Sequence, residues 1–263
     1  MRGGYSRSKR ILSGLFRLGA VGTLLFMLSC PDGDYEPELP RLRQNREATV
    51  LINVPGEGHG TGVAVSRCGH ILTNAHVIES EHPAPINVFV VGHVSPFEAR
   101  VVAEQTEHDL AIIKIDYLFE HIAVIENRDQ TVIDGNESYS IGFPHNFGAT
   151  ISRGYVRQNF FSDSRPDSPP AVNDATMLGQ RLEPGTSGSG IYAARDGRLI
   201  ALMSHNMWSG NSILELLSNP IVIPVRHVRP FLEEHNIAYC QPPPTIRERI
   251  WSTFGACHQK LNL

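Results

Sequence analysis

The chain reads as an all-β protein built from antiparallel barrels, and three observations lead there. Short runs rich in branched and apolar residues, Val50 to Val54, Thr61 to Val65, Ile86 to Val91, Ala111 to Ile115 and Leu199 to Met203, are separated by Gly, Pro, Asn and Asp. Helical periods do not alternate with these runs, and the chain shows no internal repeat, phosphate-binding loop or heptad. Its 263 residues, 41% hydrophobic and 19% charged, have ordinary globular composition and suit one large β domain or a double barrel better than several modules.

In chain order, residues 1–29 belong to targeting. Arg2, Arg7, Lys9 and Arg10 make a basic start, Leu18 to Leu28 an apolar stretch, and Ser29 precedes Cys30. This is similar to a bacterial lipoprotein signal peptide, with Cys30 as the first mature, lipid-bearing residue. Met27 stands where such signals usually carry Leu, and Arg17 interrupts the apolar run. The other reading is an uncleaved anchor, although the 11 apolar residues after Arg17 fall short of the ~20 that span a bilayer. Either way the folded part is expected outside the cytoplasm, membrane-attached in the bacterial envelope on its periplasmic or extracellular face. Residues 30–46, with Pro, Asp and Glu concentrated in Pro31 to Pro40, read as a tether. Removing residues 1–29 takes away five basic and no acidic side chains, leaving 18 basic against 27 acidic, a net of −9. That acidity argues against nucleic acid as a partner.

Three settings further along carry the chemistry. His76 ends Leu-Thr-Asn-Ala-His, Asp109 opens the apolar run Leu110 to Ile113, and Ser187 lies in Glu-Pro-Gly-Thr-Ser-Gly-Ser-Gly, Glu183 to Gly190. A serine hydroxyl attacks a carbonyl only if an imidazole takes its proton as the bond forms, and a carboxylate must hold that imidazole in one tautomer. His76, Asp109 and Ser187 supply these parts, and Gly185 permits the bend that brings its own amide and that of Ser187 into one oxyanion hole. Singly, each has a plainer reading: a structural histidine, an Asp closing a turn, a flexible glycine loop. Together, in His, Asp, Ser order at separations of 33 and 78 residues, they predict a serine-type hydrolase whose site lies between two barrels. A peptide-binding protein without turnover is the alternative.

The segments Gly60-Thr-Gly-Val-Ala-Val and Gly69-His-Ile-Leu-Thr-Asn-Ala-His76-Val-Ile resemble the catalytic domain of HtrA (Deg) proteases, within the trypsin-like superfamily. Val88 to Val102 resembles the paired strands before the Asp. Ile141-Gly-Phe-Pro with Ala149 to Val156 resembles the hairpin opening the second barrel, and Pro220 to Leu232 the last strand and closing helix. The resemblance spans residues 47–236. It implies two six-stranded antiparallel β-barrels of chymotrypsin type with a short C-terminal helix, protein or peptide substrates, an envelope protein-processing or quality-control role, and no cofactor. Two departures stand out. Thr186 and Gly188-Ser189-Gly190 replace the family's Asn and Gly-Gly-Pro, the Gly-Ser portion being closer to bacterial glutamyl endopeptidases. After about residue 236, 27 residues remain, too few for the PDZ domain that HtrA proteases generally append.

Specificity is less legible. Arg181, six residues before Ser187, is where the superfamily places the base of its primary pocket; a cation there would favour an acidic P1 side chain, unless Arg181 turns to solvent or fills the pocket. Ser204 and His205, beside Met203 and Asn206, are expected on the wall where an extended substrate pairs as an added strand. His205 also has a structural reading. The loop Ser162 to Asp174 is expected to be mobile, and oligomeric state is left open. In residues 237–263, Ile246, Ile250, Trp251 and Phe254 suggest a short amphipathic helix. Cys240 and Cys257 could close a disulfide there, Cys68 could pair with either, or all three could be thiols. No metal site is expected, since Cys-x-x-Cys and His-Glu-x-x-His spacings are missing.

Overall fold

A computed structural model describes residues 41–80, 84–128, 134–146, 148–162, 174–179, 183–206 and 220–241, the side chains of residues 161 and 206 excepted. Twelve strands among them close into two barrels. The first contains β1 (Thr49–Val54), β2 (Gly58–Ala64), β3 (His70–Thr73), β4 (Ile86–Val90), β5 (Phe97–Gln105) and β6 (Leu110–Lys114), in the order β1-β2-β3-β6-β5-β4. The second contains β7 (Glu137–Gly142), β8 (Thr150–Phe161), β9 (Ala175–Leu178), β10 (Gly190–Ala193), β11 (Leu199–Asn206) and β12 (Pro220–Pro224), in the order β10-β11-β12-β9-β8-β7. Every pairing is antiparallel, and closure leaves neither sheet with an open edge.

The uninterrupted apolar runs Leu110 to Ile113 and Leu199 to Met203 are strands buried on both faces. In β6, Ala111 and Ile113 point into the first barrel with Val50, Ile52, Ile71 and Val88. Leu110 and Ile112 point the other way, joining Val63, Leu72, Tyr139, Ile141, Tyr192 and Leu202 in a core shared by the two barrels. Because side chains alternate along a strand, a run without polar interruption marks one that packs on two sides. The second barrel has its own interior around Val156, Leu178, Ile191, Ile200, Met203 and Val222.

Among the described residues three α-helices flank the barrels: α1 (Leu42–Glu47), α2 (Ala75–Ile78) and α3 (Val225–Glu234). The hairpin expected to open the second barrel is β7–β8, and the closing strand and helix are β12 and α3. Residues 42–46, expected at the end of the tether, lie in α1. Asn45 is buried there, its Nδ2 donating to Tyr139 Oη and to the Gly197 carbonyl, both at 2.8 Å.

The segment between the barrels is held by a buried carboxylate. Glu126 accepts from Arg198 at 3.2 Å, from Arg195 at 3.4 Å and from the amides of Asn127 and Arg128 at 2.9 and 3.2 Å. Burial pushes this carboxyl up, but the Arg198 hydrogen bond and charge and the two amides outweigh it, leaving the group below its ordinary value.

Residues 1–40, Arg181, most of the loop 162–174 and residues 242–263 lie outside the described residues, and with them Cys30 and Cys257. Cys68 sits in the β2–β3 turn, and the Cys240 carbonyl accepts from Ile125 at 2.9 Å. No helix among the described residues is long and apolar enough to cross a membrane.

Candidate active site

His76 and Asp109 meet at one corner of the first barrel. Asp109 follows a single 3-10 turn, Thr106–His108, and adopts a left-handed conformation at φ 53°, which Asp tolerates better than most residues. Contacts from the other side hold it there: its carbonyl accepts from Asn74 Nδ2 at 2.9 Å and the Ala75 amide at 3.3 Å. Its carboxylate takes the His76 amide on Oδ1 at 3.0 Å and His76 Nδ1 on Oδ2 at 2.8 Å. The Asp109 side chain is 13% exposed and that of His76 43%, so the carboxylate is sheltered while the imidazole is partly open to solvent.

Ser187 lies in the loop before β10, and β2 is the surface this loop rests on. The Ser187 carbonyl accepts from the Thr61 amide at 2.8 Å, and the Thr61 hydroxyl donates to the Gly185 carbonyl at 2.8 Å while accepting from the Phe143 amide at 3.1 Å. Gly185 has φ 93° and Gly188 φ 83°. A Cβ at Gly188 would collide with the Thr61 carbonyl and meet Thr73 Oγ1 at 2.5 Å, so close approach as well as backbone conformation requires glycine there. Among the described residues, neither the Gly185 nor the Ser187 amide is engaged by another backbone carbonyl. The Gly-Ser departure has a packing reason: Ser189 is fully buried, and a Cβ at Gly142 would run into its Oγ.

The two halves meet at Ser204. Between Met203, paired with Val222, and His205, paired with Ile221, the β11–β12 register slips, leaving Ser204 as the extra residue of a bulge. Its carbonyl accepts from Ser187 Oγ at 3.0 Å, and its hydroxyl donates to Asp109 Oδ2 at 2.6 Å. His205 Nδ1 lies 2.9 Å from that hydroxyl. Burial pushes the His205 imidazole below its usual value, Asp109 pulls it up, and His76 adds to the lowering. The Ser204 carbonyl thus faces Ser187, and its hydroxyl, with His205 Nδ1 beside it, faces Asp109.

Two contributors had no assigned part in the sequence reading. Thr61 offered one hint, a hydroxyl residue between two glycines at the start of the strand. His59 had none; its Nε2 is buried against Gly185 with no hydrogen-bond partner among the described residues.

Two closed six-stranded antiparallel barrels define the chymotrypsin-like double barrel. A profile of the trypsin-like peptidase domain matches residues 60–202, more than half of the chain. The chain belongs to the trypsin-like peptidase family. Among curated proteins it is similar to Protease Do-like 8, chloroplastic, of Arabidopsis thaliana, 28% identical over 60% of this chain and 37% of that protein. It is also similar to serine endoprotease DegS of Escherichia coli K12, 31% identical over 56% of this chain and 45% of that protein. The chain thus spans less than half the length of these relatives. Among solved structures, an inactive form of Rv3671c from M. tuberculosis H37Rv shares the fold at TM-score 0.62 and 19% identity, covering 76% of this chain and 91% of that one. A serine endoprotease from Yersinia pestis does so at TM-score 0.58 and 24% identity, over 73% and 64%.

Proposed function

We propose that this chain is a serine endopeptidase that hydrolyses protein or peptide substrates through an acyl-enzyme. Ser187 is the nucleophile, His76 the general base and then acid, Asp109 the carboxylate that orients it, and the Gly185 and Ser187 amides are the oxyanion donors. One observation carries the reading: Ser204 is bonded to Ser187 through its carbonyl and to Asp109 through its hydroxyl, gathering nucleophile and acid–base pair around one residue.

The chemistry follows from which atoms are occupied. His76 Nδ1 is engaged by the carboxylate, so Nε2 is the nitrogen available to the nucleophile. The Ser187 hydroxyl donates to the Ser204 carbonyl, so attack requires that proton to be redirected to Nε2. As Oγ bonds to the scissile carbon, the carbonyl oxygen becomes an oxyanion facing the two amides. The imidazolium then gives its proton to the leaving amine, and water, deprotonated by the same nitrogen, releases the acyl group and restores Ser187.

A fluorophosphonate probe tests this directly. Ser187 should be labelled in the native chain, while Ser187→Ala should keep the circular dichroism of the fold and lose both labelling and casein cleavage. A native chain that stays unlabelled with peptide present favours the peptide-binding alternative.

The envelope role is part of the same proposal and rests on the basic start, apolar stretch and Ser29-Cys30 of the sequence. In that reading the enzyme is exported and lipid-anchored through Cys30. Mass spectrometry of the N-terminus isolated from membranes checks it, and a peptide retaining residues before Cys30 would count against lipid attachment.

A further inference from the structure

We infer that His205 is a positioning residue of the proton-transfer system, acting on Asp109 through the Ser204 hydroxyl. The inference rests on the peptidase reading above and extends it to a residue that, among the described residues, hydrogen-bonds to neither Ser187 nor His76 but to Ser204.

Proton counting fixes the direction of the chain. A hydroxyl has one proton to donate, and an ionised carboxylate can only accept. The 2.6 Å separation between Ser204 Oγ and Asp109 Oδ2 lies in the short range of O–H···O⁻ bonds, so the Ser204 proton points to Asp109. Toward His205, 2.9 Å away, the same oxygen can then act only as acceptor. His205 must carry its proton on Nδ1, and in its neutral form Nε2 is left as an acceptor. Two imidazoles therefore share one carboxylate: His76 directly on Oδ2 at 2.8 Å, and His205 through one hydroxyl.

The bulge makes this possible. In a regular strand, consecutive side chains point to opposite faces, but the slip after Met203 brings the Ser204 and His205 side chains to hydrogen-bonding distance. Donation from Nδ1 also fills the second role of the Ser204 hydroxyl, fixing the residue whose carbonyl holds Ser187. The titratable groups facing His205 are Asp109 at the head of β6 and His76 in α2. Across the neighbouring α3, Arg226 and His227 are turned to Asp174 instead.

Donation by Nδ1 strengthens the bond from Ser204 to Asp109 and so draws on the charge that would hold a protonated His76. Removing it should let the base protonate at higher pH. The test uses the full chain. In ¹⁵N-histidine-labelled Ser187→Ala protein, with the His205 signal identified by its loss in Ser187→Ala/His205→Asn, the imidazole should show the Nδ1–H tautomer at neutral pH. In the active enzyme, His205→Leu should lower kcat about fivefold with KM within about twofold and shift the acid limb of kcat upward by about half a pH unit. His205→Asn, which restores an N–H donor near the Nδ1 position, should recover most of both effects. An Nε2–H tautomer, or an acid limb that does not move in His205→Leu, overturns the assignment. Because the tautomer is read without turnover, its outcome is separate from that of the peptidase reading, which fails instead on an unlabelled Ser187.

Discussion

The His76–Asp109 corner and the Ser187 loop are held in opposite ways. At the corner, a carboxylate collects donors from a backbone amide, an imidazole and a hydroxyl, while its own main chain is tied to Asn74 and Ala75. The Ser187 loop is held by main-chain contacts with β2 and by the Thr61 hydroxyl, and Ser187 Oγ is bonded to a carbonyl rather than to His76. Charge-assisted bonds tolerate small shifts better than a loop seated by close approach, where one methyl group has nowhere to go. In the proposed mechanism the acid–base half is thus in place before substrate arrives, and the nucleophile half depends on backbone shape.

The sharpest way to break this contrast is Gly188→Ala. The new methyl meets the Thr61 carbonyl and the positive φ adds strain, so fluorophosphonate labelling of Ser187 should fall about 100-fold or more. Labelling at the native rate would show that the loop is not seated by close approach. Next in size is Thr61→Val, which keeps the shape of the side chain but leaves the Gly185 carbonyl and Phe143 amide without their shared hydroxyl. An unmet buried polar group costs about 1–3 kcal/mol, so the labelling rate should drop about tenfold while the fold persists.

The smallest effect concerns stability and lies at the start of β3 in the first barrel. Burial, with Lys114 and then Arg100 alongside, pushes His70 from 6.5 down to about 4. Its folded value is below its unfolded one, so the unfolded chain binds the proton first; stability is full above about pH 6.5 and declines as pH falls toward about 4. Urea midpoints of His70→Leu should be flatter than native across that window, with labelling at neutral pH unchanged. Equal slopes in the two proteins would remove His70 as a source of acid sensitivity.

How much of this was legible in the sequence follows the same division. Strands such as β1 and β6 were readable because a barrel stave has a local pattern, and His76, Asp109 and Ser187 because each sits in a distinctive local setting. The bulge at Ser204 has no local signature: Met203-Ser-His-Asn206 reads as strand in any register, and the slip appears only against β12. Helix α1 was missed for a similar reason. Leu42-Arg-Gln-Asn-Arg-Glu47 is polar and short, and what orders it is Asn45 reaching Tyr139 and Gly197, 94 and 152 residues away. The part Thr61 plays rests on partners as remote in sequence, Phe143 and Gly185.

That reach of Asn45 gives α1 a mechanical meaning. The polypeptide passes from α1 directly into a stave of the first barrel, yet its anchoring amide is hooked onto the second. A pull on the backbone at Arg41 would load that hook before it could peel β1 away, so tension would be shared across the seam between the barrels.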